Sequence, residues 1–487
     1  MKVLAAPKDR KQLCSDTLGL LLFEEELAYL DQFSDLCPGL AGQAELERFK
    51  AKKGARLFRA QPGQVPSRVF VIGLGSEKKG DKDVFREGAA LLIKAASSVG
   101  AENVEIWTVT NTDRDLSQAL AEGAQLGSYR FDRYRDCPEE ESGQVATVYV
   151  AGGDDKGLER GSLIACGQLL ARDIANEPGN VINPLTLAER ACEVAREGDL
   201  ECRVYDEKEL AEMNMGLLLA VGQGSKTPPR LIHLTYHPER EPLGRIVLVG
   251  KGITFDTGGL NIKPGEHMRT MKGDKTGAAN VIGVFRSLAR LRLPVEVHGL
   301  IGAAENAVDS HSYRPDDIVK GRKGKTVEID NTDAEGRLTL ADVLAFASEL
   351  KPSVIIDIAT LTGACAIALG PYTAGLFSND DSLAEELLSA SRRSGERFWR
   401  LPMDDERLRK KLESPVADLV NTGGREGGAL TAAMFLEAFV EKDIRWAHLD
   451  IAGVDAYKEP FGYYSKGASA FGARTLLEFL VSLGPES

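Results

Sequence analysis

Four carboxylates and three cationic side chains in the second half of the chain have the types and spacing of a metal or anion site. In Asn331-Thr-Asp-Ala-Glu-Gly-Arg337, the residues Asp333, Glu335 and Arg337 stand two apart. In an extended segment such residues point to one side, so two carboxylates and a guanidinium would line one surface. The same letters also read as a capping box from Thr332 to Glu335, ahead of a helical run from Leu338 to Leu350. Asp256 lies in the glycine-flanked Phe255-Asp-Thr-Gly-Gly259, where small residues let the backbone approach a ligand, or where an aspartate simply makes a turn. Asp274, in Lys272-Gly-Asp-Lys-Thr-Gly277, precedes a helical run from Ala278 to Leu291 and has a helix N-cap as its alternative role. Lys251 and Lys263 are either snorkelling lysines or groups held near the carboxylates. Each residue has a bland reading when taken alone. Gathered at loop positions after strands of one α/β sheet, however, Asp256, Asp274, Asp333 and Glu335 would repel one another strongly unless cations bound them. Two divalent cations would satisfy such a cluster, since carboxylate oxygens suit Mg²⁺, Mn²⁺ and, less exclusively, Zn²⁺.

Other chemistries find less support. The histidines His233, His237, His267, His298, His311 and His448 show no metal-binding spacing and read as packing or surface residues. No G-x-S-x-G supports a serine nucleophile. Gly222-Gln-Gly224 and Val71-Ile-Gly-Leu-Gly75 complete neither a dinucleotide fingerprint nor a P-loop, and read as turns.

The elements that must position the cluster alternate between strands and helices. Short β-rich runs at Val69 to Gly73, Val104 to Val109 and Val145 to Val150, with a helical stretch from Val84 to Ser98, predict an N-terminal α/β domain over residues 1–155. A connecting helix and linker follow over 156–180, with Leu163 to Ile174 as its amphipathic part and Asn176-Glu-Pro-Gly-Asn180 as its stop. Residues 181–487 form the larger domain. Its runs Arg245 to Gly250, Val295 to Ala303, Val354 to Ile358 and Trp446 to Ile451 are apolar on consecutive residues, as in strands buried on both faces. The fold class is therefore α/β, with two α/β domains, the larger a helix-covered, mostly parallel sheet. Ligands of such sheets bind beyond the carboxyl ends of the strands. Candidate residues follow three of these ends, at Gly250, Asp330 and Ile358.

With 60 Lys+Arg against 73 Asp+Glu the formal net charge is −13, which argues against a nucleic-acid partner. The balance of 43% hydrophobic and 27% charged residues excludes disorder as a description of the whole. No stretch is long and apolar enough for a membrane span, and the opening MKVLAAPKDRKQLCSD turns polar too early for a signal peptide, so a cytoplasmic location is expected. Cys14, Cys37, Cys137, Cys166, Cys192, Cys202 and Cys365 lack a C-x-x-C pair and are odd in number, which favours free thiols.

Asn331-Thr-Asp-Ala-Glu-Gly-Arg-Leu338 resembles, letter for letter, the signature octapeptide of the cytosolic leucyl aminopeptidases. Val249-Gly-Lys-Gly-Ile-Thr-Phe-Asp256, Ile262-Lys-Pro264, Ile358-Ala-Thr-Leu-Thr-Gly-Ala364, Asn421-Thr-Gly-Gly-Arg425 and Trp446-Ala-His-Leu-Asp-Ile-Ala-Gly453 resemble that family in order and spacing. The likeness spans about residues 170 to 480, while the N-terminal part resembles the family only in length and α/β character. The resemblance implies Lys251, Asp256, Asp274, Asp333 and Glu335 as ligands of two divalent ions, Mn²⁺ or Zn²⁺, with Asp256 and Glu335 bridging. It implies Lys263 and Arg337 as the catalytic pair. The implied reaction is hydrolysis of the N-terminal residue from a peptide with a free N-terminus by a two-metal-activated water. Lys263 would stabilise the oxyanion and Arg337 would hold a bicarbonate as base. A homohexamer is implied by the family alone.

Three departures accompany the likeness. Lys275 follows the third ligand where an apolar residue is usual, placing a cation next to Asp274. Lys466-Gly-Ala-Ser-Ala-Phe-Gly472 differs from the usual wording in a way that suggests a packing change. Asp455 stands where the family usually has an apolar residue in the pocket for the cleaved side chain, together with Met271, Thr360 and Gly363. It either turns to solvent or to a local lysine such as Lys458, or lines the pocket and favours N-terminal Arg or Lys. Two alternatives compete with the peptidase reading. One is a two-metal phosphoesterase, against which the octapeptide argues; the other is a binding protein that has lost turnover, against which the complete set of seven site residues argues.

Overall fold

A computed structural model describes residues 1–79, 81–136 and 143–484. Packing divides the chain into two compact units: Met1–Cys166 with Lys458–Lys466, and Gly167–Tyr457 with the residues from Gly467 on. The division falls inside the helix Asp155–Asn176, in the stretch expected to connect domains.

The first unit holds β1 (Lys2–Ala6), β2 (Thr17–Leu22), β3 (Arg56–Ala60), β4 (Arg68–Gly73), β5 (Asn103–Thr108) and β6 (Thr147–Ala151). They form one sheet in the order β1-β6-β5-β2-β4-β3, parallel except for the β3–β4 pair. Thr17–Leu22 is buried at every residue, as the central place of β2 requires. The helices Lys82–Ser98 and Arg114–Gly127 begin at Asp81 and Asp113, whose side chains accept backbone N–H bonds as N-caps.

The second unit contains β7 (Glu201–Tyr205), β8 (Arg230–Tyr236), β9 (Arg245–Asp256), β10 (Glu296–Asn306), β11 (Ile318–Lys320), β12 (Thr326–Glu328), β13 (Val354–Ala359), β14 (Ala374–Ser378), β15 (Phe398–Arg400), β16 (Leu419–Val420) and β17 (Arg445–Asp450). Eight of these make the main sheet, β15-β14-β17-β13-β9-β10-β8-β7, whose centre β17-β13-β9-β10 is parallel. Helices cover both faces. Gly299 and Gly302, three apart on β10 and so on opposite sides, sit against Phe285 of the helix Thr276–Leu291 and Val343 of the helix Glu335–Glu349 respectively.

Three sequence expectations change. β9 does not end at Gly250; its pairing with β10 carries it to Asp256, so Lys251 lies within the strand. Thr326–Glu328 is not part of the main sheet but pairs with β11 and β16 in a small separate one; three residues, half-buried at both ends, make too short a strand for the sheet interior. The cysteines are not all free. Cys192, in the helix Pro184–Gly198, is disulfide-bonded to Cys202 on β7, because the turn between helix and strand brings their Cα atoms to 5.5 Å. Cys14, Cys37, Cys166 and Cys365 are free, and Cys137 lies outside the described residues.

Candidate active site

The cluster forms where β9 ends and the turn after β13 meets the start of the helix Glu335–Glu349. Lys251 and Asp256 are five apart and would face opposite ways on a regular strand. Between Ile253 and Asp256, however, β9 spends three residues where β10 spends two, Ala304 to Asn306. This bulge inserts one residue and brings Lys251 and Asp256 to the same side. Past it, Gly258 and Gly259 adopt φ of +89° and +65°, the left-handed region that glycine enters freely, and the chain turns back. Lys263 N–H then donates to Thr257 C=O at 2.9 Å, which anchors the lysine beside the strand end.

The octapeptide does not act as a capping box. The helix N-cap is Ala334 and has no side-chain cap bond. Thr332 Oγ1 instead donates to Gly258 C=O at 2.7 Å and accepts Asn261 N–H at 2.8 Å, which ties the octapeptide to the glycine turn. Gly336 is required by close approach, since a Cβ there would come 2.6 Å from Lys251 Nζ. Asp274 is not an N-cap either, for Lys275 holds that position. Asp256 combines both of its readings: Oδ1 accepts Gly258 N–H at 2.9 Å in a turn, and Oδ2 faces the cluster.

Lys251 Nζ lies 2.8 Å from Asp274 Oδ1, 2.9 Å from Glu335 Oε1 and 3.0 Å from Thr360 C=O, so each ammonium proton has an acceptor. Lys263 Nζ lies 2.8 Å from Asp256 Oδ2 and 2.5 Å from Asp333 Oδ1. Ligand oxygens of Asp256, Asp333 and Glu335 all fall within 4.8 Å of one another. Arg337 is half-buried one helical step on, with Nη1 donating to Asn421 C=O at 2.9 Å. All seven expected residues thus lie around one place.

Burial would by itself lower the Lys251 ammonium, but Asp274, Glu335 and Asp256 outweigh it and hold the group well above the usual lysine range. Lys263 is raised in the same way, Asp256 and Glu335 overcoming desolvation. Desolvation raises Asp274, Glu335 and Asp333, with the neighbouring carboxylates adding repulsion and the lysines opposing the rise. Both trends have one origin: four carboxylates, three of them buried and Asp333 at the exposed rim, share two ammonium groups. Burial lowers Arg337 to about 10, against the pull of Glu335 and Asp450.

Lys275 does not point at the cluster. Its buried ammonium donates to Glu177 C=O at 2.8 Å and Lys272 C=O at 2.6 Å, so it makes no hydrogen bond to Asp274 and acts on it only at a distance. Asp455 does not turn to open solvent. It is half-buried, and a Cβ on Gly273 would come 3.0 Å from its Oδ2.

Sequence reasoning missed Asn306, whose buried side chain donates from Nδ2 to Asp256 Oδ1 at 2.8 Å and to Thr332 C=O at 3.1 Å. A buried asparagine closing an apolar strand was its one visible signal. It also missed Asn421, which accepts Asp330 N–H at 2.8 Å through Oδ1 and so fixes the octapeptide from the other side. Thr360, expected only in a side-chain pocket, donates from Oγ1 to Asp274 Oδ1 at 2.7 Å.

The model of the cytosol aminopeptidase family, catalytic domain, matches residues 169–477, and that of the family's N-terminal domain matches residues 24–138. A probable cytosol aminopeptidase of Aquifex aeolicus (strain VF5) is 51% identical, over 99% of each chain. Another, of Persephonella marina (strain DSM 14350 / EX-H1), is 47% identical over 85% of each. Among solved structures, a tomato leucine aminopeptidase mutant superposes with a TM-score of 0.91 at 33% identity, over 99% of this chain and 96% of the other. The bottromycin maturation enzyme BotP in complex with Mn does so with a TM-score of 0.87 at 36% identity, over 96% of this chain and 100% of the other. An acidic cluster, buried but for Asp333, on an α/β sheet, matched along nearly the whole chain by these proteins, leaves one assignment: the chain belongs to the cytosol aminopeptidase family, metal-dependent hydrolases that act as exopeptidases.

Proposed function

We propose that the enzyme removes the N-terminal residue from peptides with a free N-terminus, using two divalent cations that Lys251, Asp256, Asp274, Asp333 and Glu335 would hold, with Asp256 and Glu335 as the ligands that would be shared between them. The observation that carries this reading is an imbalance of buried polar groups. Asp274 Oδ2 and Glu335 Oε2 are buried without a hydrogen-bond partner, and four carboxylates face only two lysines. Burying unpaired carboxylate oxygens is costly, and cations relieve that cost. The oxygen-rich donor set suits Mn²⁺ and accepts Zn²⁺. Lys251 joins it as a neutral amine once its proton leaves.

When bound, the cations supply positive charge that acidifies a water and polarises the scissile carbonyl. The chain's own groups do the rest. Lys263, anchored by its backbone at Thr257, provides fixed positive charge for the developing oxyanion. Arg337 has a buried Nε without a hydrogen-bond partner, which suits a small anion, and bicarbonate bound there would serve as base. Asn306 holds Asp256 in orientation through Oδ1, leaving Oδ2 for the cluster. We assign this chemistry to residues 181–487, preceded by the N-terminal domain 1–155 and the connecting segment 156–180, and place the enzyme in the cytoplasm as a homohexamer. No helix among the described residues is long and apolar enough to cross a membrane.

The test is a set of assays on the chelator-treated protein restored with Mn²⁺, Zn²⁺, Mg²⁺ or Co²⁺, using aminoacyl amides, an N-acetylated peptide and a phosphate ester. Activity that vanishes with the chelator, returns with a divalent ion, and is confined to substrates with a free amine is expected. Equal cleavage of acetylated and free peptides would refute recognition of the amine. Full activity in metal-free protein would refute the two-metal reading.

A further inference from the structure

Asp450 closes β17, fully buried, beside Ala359 at the end of β13. Among the described residues it forms no ion pair. Its carboxyl group bonds mainly to the turn that follows β13, and once to the chain just past β17. Oδ1 accepts Leu361 N–H at 3.2 Å, Ala452 N–H at 3.1 Å and Thr362 N–H at 3.4 Å, and Oδ2 accepts the Thr362 hydroxyl at 2.6 Å. Thr362 Oγ1 in turn accepts Cys365 N–H at 3.0 Å. The residue just before this belt is Thr360, whose carbonyl receives Lys251 Nζ at 3.0 Å and whose hydroxyl donates to Asp274 Oδ1 at 2.7 Å.

We infer that Asp450 is a positioning residue of the metal site: through Leu361 and Thr362 it fixes the turn that presents Thr360 to Lys251 and Asp274. The inference rests on the reading of Lys251 and Asp274 as ligands. Thr360 offers two contacts to two different ligands from one residue, and both require its backbone at a set height above β13. A free turn there would pay in ordering entropy each time the ligands were drawn together. Asp450 removes that freedom with three hydrogen bonds to the turn, two of them from backbone N–H groups, while a fourth from Ala452 N–H fixes the carboxyl group at its own strand end. Every hydrogen bond of this buried carboxyl group has a donor close at hand, three in the turn after β13 and one at Ala452 just past β17.

Two substitutions separate positioning from plain packing. Asp450→Asn keeps an oxygen for Leu361 and Ala452 but puts an amide N–H where the Thr362 hydroxyl proton has its acceptor. Thr362→Val removes the hydroxyl, and Thr362→Ser restores it. Mn²⁺ binding to the chelator-stripped full chain is measured by calorimetry, with thermal melting alongside to report folding. Asp450→Asn and Thr362→Val are expected to weaken Mn²⁺ binding by about tenfold to a hundredfold, the range for residues that orient metal ligands, while Thr362→Ser stays within about threefold of the parent. Variants that melt earlier but bind Mn²⁺ as the parent does would overturn the inference and leave Asp450 a packing residue. Glu335→Gln is the separate control on the reading beneath: Mn²⁺ binding unchanged by it would reject the ligand assignment itself.

Discussion

Lys263 Nζ stands 2.8 Å from Asp256 Oδ2, so the side chain assigned to the oxyanion touches a side chain assigned to the metals. The two roles separate by substitution. Asp333→Ala and Glu335→Ala should lose bound metal. Lys263→Ala should keep it and lose mainly kcat, by roughly 10² to 10³, as removal of an oxyanion donor does. Metal analysis of the purified variants beside their kinetics decides the matter, and a metal-replete but inactive Glu335→Ala would contradict its bridging role.

Asp455 holds a half-buried carboxyl next to Gly273, one residue from Asp274, and burial pushes it up to about 7. Backbone N–H groups of Asp455 and Ala456 already bond it, and a basic side chain from the substrate would add an oppositely charged partner. The kcat/KM ratio of an N-terminal Arg substrate to its Leu counterpart should fall by about tenfold in Asp455→Ala, the lower end for a hydrogen bond to a charged group. A ratio that the substitution leaves unmoved shows that Asp455 does not face the cleaved residue.

Far from the cluster, His233 on β8 and His298 on β10 share a hydrogen bond of 2.8 Å between Nε2 and Nδ1. Burial, with His298 and Arg203 adding repulsion, lowers His233 from 6.5 to about 4. The unfolded chain therefore binds an extra proton between those values, and stability should decline as pH falls from about 6.5 towards 4. The decline assignable to His233 is on the order of 2 kcal/mol, after allowing for its partial exposure. Denaturant unfolding at pH 7 and at pH 4.5 should show a smaller difference in His233→Gln than in the parent, and equal differences would dismiss the effect.

The Cys192–Cys202 bond closes a loop with a sequence separation of 10 between a helix and β7. A closed loop of this size is worth about 3 kcal/mol in the chain-entropy picture. Reductant should lower the unfolding free energy by up to that amount, and Cys192→Ser should show the same loss with no further response to reductant. An unfolding curve indifferent to reductant would show the bond to be without consequence for stability.

The amino-acid sequence by itself determined the α/β class, the sheet's apolar central strands and the identity of the acidic residues, because consecutive burial and residue chemistry are local properties. Val354 to Ile358 and Trp446 to Ile451 read as strands for that reason, and β13 and β17 lie within a residue of those limits. What each polar residue does could not be read locally. Thr332 and Glu335 carry the letters of a capping box, and only the glycine turn at Gly258, over seventy residues away in the chain, diverts Thr332 to another partner. The facing of Lys251 and Asp256 depends on a bulge that exists only because β9 pairs with β10. Asn306, Asn421 and Asp450 hold the site through bonds to residues distant in sequence, so no spacing announces them. Lys275 illustrates the reverse: its position beside Asp274 suggested an electrostatic conflict, and folding resolves it by sending the ammonium to the carbonyls of Glu177 and Lys272. Residue types set what chemistry is available, and long-range packing, which alone fixes distance and direction, selects the groups that perform it.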